Sequence, residues 1–238
     1  MFQFMLTPLD DHFDDGLGAT GEAFLQAAKA LDGTAAATSV ANGHLAISFL
    51  NRHASELFLK SMIVVIHRAL ALPYGVHGSD GQAFIRRTDA WIPLHRVHSL
   101  GSLWEYVIEL LSDNAQTLAD RCQTDWLAIP PALPAGIAVI DAADASSTFF
   151  HYPDKRTPGA DRAKSSWKAT TPEAALEAMH SASQPRKWFV LTGPGDQISR
   201  MYEHDPNPLP QLASALREVA DLLSGAHLGL RVELANGR

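Results

Sequence analysis

One apolar stretch decides the fold: residues 45–66 read LAISFLNRHASELFLKSMIVVI. Asn42 or Ser39 could cap a helix at its start, and Pro73 limits that helix to about residue 71. Its large apolar side chains cover a broad part of the helix surface, and they are Leu45, Phe49, Leu57, Met62, Ile63 and Ile66. A surface of this kind predicts a long helix at the centre of a helical bundle.

Shorter helices and two strands are predicted around this central helix. The helical patterns cover residues 22–31, 100–112 after a Ser99 cap, 114–124, 136–148, 173–183 and 209–223, where Gly225 ends the last one. Residues 187–191 are rich in strand formers, and residues 228–234 alternate between apolar and polar side chains, so the two segments could pair. The predicted fold class is mainly α, an antiparallel helical bundle with a small two-stranded β element near the C-terminus.

The predicted organisation is one domain in three parts. Residues 1–20 carry several glycines and aspartates and are expected to form a loose, solvated arm. Residues 21–150 form the bundle, in which residues 72–97 are a long connection with glycine and proline. Residues 151–238 form an extension of loop, helices and a short β pair, packed on the bundle.

Composition excludes several classes of protein. The 238 residues include a single cysteine, which excludes a disulfide framework and a cysteine-based zinc module. A net charge of −7 argues against a protein that coats nucleic acid by bulk charge, but it leaves room for a local basic groove. The start of the chain lacks the pattern of a signal peptide, and the most apolar run, residues 57–66, is too short to span a membrane. We therefore expect a cytoplasmic protein without membrane contact.

A line of charges interrupts the apolar central helix. Arg52, Glu56 and Lys60 are four residues apart, so they share one helical face, and His53 lies three residues before Glu56. A carboxylate between two cations is held ionised, and such a face could bind a phosphate or a nucleotide. Two structural alternatives stay open: a ladder of surface ion pairs, or a buried Glu56 that supports the backbone of a loop.

Three motifs in order resemble those of HEPN-type proteins (higher eukaryotes and prokaryotes nucleotide-binding). The first is RHASELFLKSMI at residues 52–63, and the second is HSLGSL at residues 98–103. The third is FFHYPD at residues 149–154, similar to a segment that follows the bundle in one HEPN-like branch. Together the motifs cover about residues 40–155. The resemblance implies a HEPN-like bundle that often forms homodimers.

The resemblance also implies a function in RNA or nucleotide binding, in bacterial stress, toxin–antitoxin or defence systems. Many HEPN-type proteins are metal-independent ribonucleases with an arginine followed, after four to six residues, by a histidine. No arginine of this chain has that spacing; the nearest pairs are Arg200 with His204 and Arg87 with His95. We therefore expect binding without the usual ribonuclease motif. The alternatives are a non-catalytic protein–protein interaction module and an endoribonuclease with a displaced Arg/His pair.

The candidate ligand-binding residues follow from these motifs: Arg52, His53, Glu56, Lys60, His98 and Tyr152. A basic segment interleaved with aromatic residues supplies candidate nucleic-acid contacts at Lys155, Arg156, Arg162 and Lys164. The alternative for this segment is a solvated loop that its aromatic side chains anchor to the bundle. The pair His95 and His98 lacks a third metal ligand at a fixed spacing, so no metal and no cofactor is expected. Catalytic residues stay unassigned.

Overall fold

The computed structural model describes residues 7–34, 41–75, 82–150, 158–181 and 186–237. The described chain is mainly helical, as the sequence predicts. Its α-helices are α1 (Leu17–Leu31), α2 (Gly43–Ala69), α3 (Leu100–Asp113), α4 (Ala115–Arg121), α5 (Ala132–Asp144), α6 (Pro158–Lys164), α7 (Pro172–Ser181) and α8 (Pro210–Ala235). Short 3-10 turns span Leu9–Asp11, Leu94–Arg96 and Pro194–Asp196.

Helix α2 lies at the centre of the bundle and contacts α1, α3 and α8, while α5 packs on α3 and α8. From Ala54 to His67 every residue of α2 is buried, which is typical of a helix enclosed on all sides. Its fully buried Leu59, Ile63 and Ile66 belong to a single hydrophobic core that includes residues of α3, α5 and α8. Burial of each such side chain stabilises the fold by about 1.5–3 kcal/mol.

Two small antiparallel sheets accompany the helices, where the sequence predicted one pair of strands. Strands β1 (Phe84–Arg87) and β2 (Ala90–Pro93) form a hairpin in which Ile85 faces Ile92. Strands β3 (Trp167–Thr170), β4 (Trp188–Thr192) and β5 (Ile198–His204) form the second sheet, with β5 in the middle. The prediction of a strand near residues 187–191 is confirmed, but its partner is β5.

The predicted strand over residues 228–234 is wrong, because these residues belong to α8. Helix α8 also continues through Gly225, where the sequence predicted its end. The buried residues His227, Leu230 and Arg231 follow a helical spacing, and Arg231 is completely enclosed. Residues 228–234 alternate between apolar and polar types, but the polar Arg231 faces the core of the bundle.

Residues 7–20, the described part of the predicted arm, include buried positions and the start of a helix. Helix α1 begins at Leu17, and Asp14 is completely buried. Gly18 and Gly21 are packing positions, since a Cβ atom at Gly21 would lie 3.0 Å from the ring of Phe58. The glycines that suggested a loose segment therefore allow α1 to approach its neighbours closely.

Side-chain bonds join the start of α2 to the segment that leads into β3. Asn42 precedes α2 but does not cap it, and its Oδ1 accepts from the backbone N–H of Ser166 at 2.7 Å. Ser166 Oγ in turn accepts from the backbone N–H of Asn42 at 3.0 Å. The predicted Ser99 cap of α3 is confirmed, because Ser99 Oγ accepts from Ser102 N–H. Thr171 likewise precedes α7, and its Oγ1 accepts from Ala174 N–H. Among the described residues, no helix combines the length and the apolar character that a membrane crossing requires.

Candidate functional site

The charged line of α2 forms a buried network instead of a surface ladder. Glu56 is its centre: Oε1 accepts from Lys60 Nζ at 2.7 Å, and Oε2 lies 3.3 Å from Arg52 Nη1. His98, in the segment before α3, places Nδ1 3.0 Å from the same Glu56 Oε1. The structure therefore brings together four of the six predicted ligand-binding residues.

Arg52 ties two other segments to α2 through their backbone. Its Nη2 donates to the carbonyl oxygen of His98 and lies 3.4 Å from the carbonyl oxygen of Asp144, the last residue of α5. The Asp144 carboxylate accepts from the backbone N–H groups of Thr148 and Phe149 at 2.7 and 3.0 Å. Arg52 thus performs the loop-supporting role that one structural alternative assigned to Glu56, whereas Glu56 bonds to side chains among the described residues.

The electrostatics of the network keep Glu56 ionised. Burial by itself would raise the pKa of Glu56, because a charged carboxylate loses solvation. The charge and hydrogen bond of Lys60, the charge of Arg52 and the hydrogen bond with His98 outweigh burial, so the pKa lies below its usual range. The carboxylate is therefore a fixed acceptor that orients the imidazole of His98.

His98 is the exposed member of the network. Its side chain is 49% exposed, whereas those of Arg52, Glu56 and Lys60 are 1%, 3% and 7% exposed. With Nδ1 directed to a carboxylate, Nδ1 carries a proton, and Nε2 remains for a second partner. The N-terminus of α3 beside His98 already holds an anion, because Asp141 accepts from Gly101 N–H at 3.2 Å.

The other predicted site residues do not join this network. His53 packs between the rings of Phe24 and Phe49, at centroid distances of 4.7 and 5.7 Å. Lys164 is buried, and its Nζ donates to the carbonyl oxygen of Phe149 at 2.7 Å and pairs with Asp161 Oδ1 at 2.7 Å, so the nucleic-acid contact at Lys164 stays a prediction. Arg162 is exposed. Tyr152, Lys155 and Arg156 lie outside the described residues.

A second buried charged network was missed by the sequence analysis. Asp14 Oδ1 pairs with Arg231 Nη1 at 2.8 Å, and Asp14 Oδ2 accepts from Gly18 N–H at 2.7 Å and from the hydroxyl of Ser61. His227 Nε2 lies 3.9 Å from the same carboxylate. Asp14 stands in an acidic run and Arg231 in an alternating one, so the only available signal was the helical spacing of His227 and Arg231.

The small sheet and α7 expose large apolar side chains. Phe189 and Leu191 alternate along β4 and therefore share one face of the sheet, and they are 51% and 39% exposed. Leu176 and Met179, three residues apart on α7, are 57% and 59% exposed. Within the described sheet, β4 is an edge strand, because it pairs only with β5. We call Phe189 and Leu191 the apolar β4 face.

Within the described ranges, no group of three or more His, Cys, Asp or Glu side chains could hold a metal ion. Comparison with known proteins finds no matching family model, no matching curated protein and no matching solved structure. The resemblance to HEPN-type proteins therefore depends on the three sequence motifs alone.

Proposed function

We propose that the protein binds RNA or a nucleotide at the surface around His98, in the way that the HEPN-type motifs imply. The observation that carries this proposal is the pair formed by the exposed His98 imidazole and the buried Glu56 carboxylate. A fixed acceptor holds the ring in one orientation, so a ligand meets Nε2 without first ordering a mobile side chain. When protonated, the imidazole donates a charge-assisted hydrogen bond to a phosphate oxygen.

The geometry favours binding over cleavage. Metal-independent cleavage requires a cation that faces the developing charge on the phosphate. Arg52 lies beside His98, but it is fully buried and donates to backbone carbonyls, so it cannot meet a substrate phosphate. Lys60 is also buried, against Glu56. The burial of Arg52 and its bonds to backbone carbonyls therefore support binding over the ribonuclease alternative.

The test measures retention of a labelled, mixed RNA pool by the wild-type protein and by His98→Ala. We expect about tenfold weaker retention for the variant, which is the range for one hydrogen bond to a charged group. His95→Ala is the matched control, because His95 is an exposed histidine three residues away that bonds to Gln82 instead of the network. Equal retention by wild type and His98→Ala would contradict the proposal.

The same reactions, run on a denaturing gel, separate binding from catalysis. We expect intact RNA in every lane. Cleavage products that disappear in His98→Ala, but persist in His95→Ala, would support the endoribonuclease alternative instead. Replacement of Lys155 and Arg156 by alanine tests the basic segment, and the expected result is weaker retention with a smaller dependence on salt. We also propose that the protein is cytoplasmic.

A protein–protein interaction is the second candidate, and the apolar β4 face favours it. An edge strand with exposed apolar side chains can pair with a strand of another chain. The first partner to test is a second copy of this chain, which would form a homodimer. Sedimentation equilibrium should show self-association that weakens at least tenfold when Phe189 and Leu191 are both replaced by serine. Leu127→Ser is the control, because Leu127 is 46% exposed and lies outside the sheet. A monomer at all concentrations would contradict the homodimer.

A further inference from the structure

A cleft of about 280 Å³ lies between the end of α1, the first turns of α2 and the beginning of α8. Its walls are largely apolar and include Ile47, Phe150, Leu209, Leu212 and Leu216. The bidentate ion pair of Arg217 and Asp32 stands at one rim, with Nε 2.6 Å from Oδ2 and Nη2 3.1 Å from Oδ1. This rim is neutral overall, because the two charges neutralise each other.

Polar side chains of α2 line the same cleft with unused hydrogen-bonding atoms. Asn51 is 3% exposed, and its Nδ2 donates to the carbonyl oxygen of Ile47 at 3.0 Å. Because a carbonyl can only accept, this bond leaves Asn51 Oδ1 as an open acceptor. Ser48 is 6% exposed, and in the part of the chain that the structure describes its hydroxyl makes no hydrogen bond. Both side chains line the cleft, so their open polar atoms can bond to a ligand there.

His44, one turn before Ser48, adds a further acceptor. Its Nε2 is 2.8 Å from the carbonyl oxygen of Lys164, so Nε2 carries the proton in the neutral ring. Burial lowers the pKa of His44 and favours that neutral form, outweighing the opposing hydrogen bond to Lys164. Nδ1 is then an acceptor. The residues that line the cleft thus include two with an open acceptor atom, Asn51 with Oδ1 and His44 with Nδ1, and one with a hydroxyl, Ser48.

We propose that this cleft binds a small, uncharged molecule with an apolar ring and an N–H or O–H donor. The apolar walls contact the ring, and the acceptors of α2 accept a hydrogen bond from its N–H or O–H group. A cation is disfavoured, because the first turn of α8 lines the cleft without a side-chain cap and carries positive partial charge. The cleft shares no residue with the His98 network, so the proposal is independent of RNA binding.

The test compares two probes, indole and 1-methylindole, which share a ring system but differ in the N–H donor. Backbone amide spectra of the full chain are recorded during titration with each probe. We expect indole to shift the signals of Ser48, Asn51 and Ala213, and to bind about fivefold more tightly than 1-methylindole. In Asn51→Leu, which keeps the volume but removes one of the two acceptors, the preference for indole over 1-methylindole should be smaller than in the wild type.

A second pair of variants establishes the location. Ala213→Leu fills the cleft and should reduce indole binding more than tenfold, whereas Ser214→Leu adds similar bulk on the exposed side of α8 and should leave it unchanged. Absence of indole binding by the wild type would overturn the proposal. Equal binding of the two probes by the wild type, or full binding by Ala213→Leu, would also overturn it. Both variants are checked for unchanged helix content.

Discussion

Two buried charged networks stand in the same bundle, and they differ in one respect. The Asp14 network joins the segment before α1 to α2 and α8, and its Asp14, Ser61 and Arg231 are completely enclosed. The Glu56 network joins α2 to the segment before α3, and it reaches the surface through His98. A closed network can only hold the fold together, whereas an open one can also meet a ligand.

Residues of the same types therefore have different roles in the two networks: those of the closed network stabilise the fold, and the exposed member of the open network can also bind a ligand. Both networks place a carboxylate against an arginine and near a histidine, so residue composition does not distinguish them. The exposure of the histidine distinguishes the two networks, because His227 is 3% exposed and the side chain of His98 is 49% exposed. Substitutions in the closed network should therefore act on unfolding, and those at the open end should act on binding.

The largest effect is expected for Arg231→Met, which leaves the buried Asp14 charge without its counter-ion. We expect the free energy of unfolding to fall by about 3–5 kcal/mol, as for other broken buried pairs. Urea unfolding at pH 7 measures it. Arg217→Met is the control on the same helix, because its pair with Asp32 is exposed and should contribute less than about 1 kcal/mol. Similar losses for the two arginines would refute the division.

The next effect concerns pH and His227. Burial lowers the pKa of His227 from 6.5 to about 4, and the charge of Arg231 adds to burial against the opposing charge of Asp14. Between about pH 4 and pH 6.5, His227 binds a proton in the unfolded chain but not in the folded protein. Stability is thus fully present above about pH 6.5 and decreases as the pH falls toward 4, by about 3 kcal/mol.

Urea unfolding at pH 7 and at pH 4.5 measures this decrease. His227→Gln, which does not titrate, should show a clearly smaller decrease between the two pH values than the wild type. The comparison uses the difference between pH values, so a constant loss of stability in the variant does not affect it. An unchanged pH dependence would show that other groups account for the acid sensitivity.

A smaller effect is expected for Gly18→Ala. An added Cβ would lie 2.0 Å from His227 Nε2 and 2.8 Å from Asp14 Oδ2, so the closed network would have to shift. We expect a loss of about 1–3 kcal/mol by chemical denaturation. Gly225→Ala is the control, because a Cβ at Gly225 meets nothing within 4 Å. In the middle of α8 that substitution should stabilise the protein by about 0.5–1 kcal/mol.

The smallest effect on stability is expected for His98→Ala. Glu56 keeps its bonds to Lys60 and Arg52, and the exposed imidazole buries little surface. Thermal unfolding should reveal a change of about 0.5 kcal/mol or less, while RNA retention falls about tenfold. A loss above about 2 kcal/mol would place His98 with the structural residues and remove the distinction between the two networks.

Much of the helical framework could be predicted from the sequence, for identifiable reasons. The long apolar run of α2 and the Ser99 cap of α3 are local signals, and local signals decide where helices form. The strand predicted at residues 228–234 is wrong because a local alternation of apolar and polar residues cannot show that Arg231 is buried. Arg231 lies in the core because the distant Asp14 neutralises it, and no local pattern identifies Asp14 as its partner.

The candidate site shows the same limit. The four-residue spacing placed Arg52, Glu56 and Lys60 on one face, and the motif at residues 98–103 supplied His98. Spacing did not distinguish His53, which belongs to an aromatic contact, or Lys164, whose charge is used inside the protein. The cleft between α1, α2 and α8 has no sequence signal, because its walls come from separate segments.

The pairing of Asp14 with Arg231 has a consequence for synthesis on the ribosome. The aspartate emerges before α1, and its arginine emerges only with α8, the last described helix. Until then, the carboxylate keeps its water shell, because burial without a counter-ion is too costly. Helices α1 and α2 therefore cannot adopt their final packing as the nascent chain grows. The bundle closes late, when α8 packs against the segment that precedes α1.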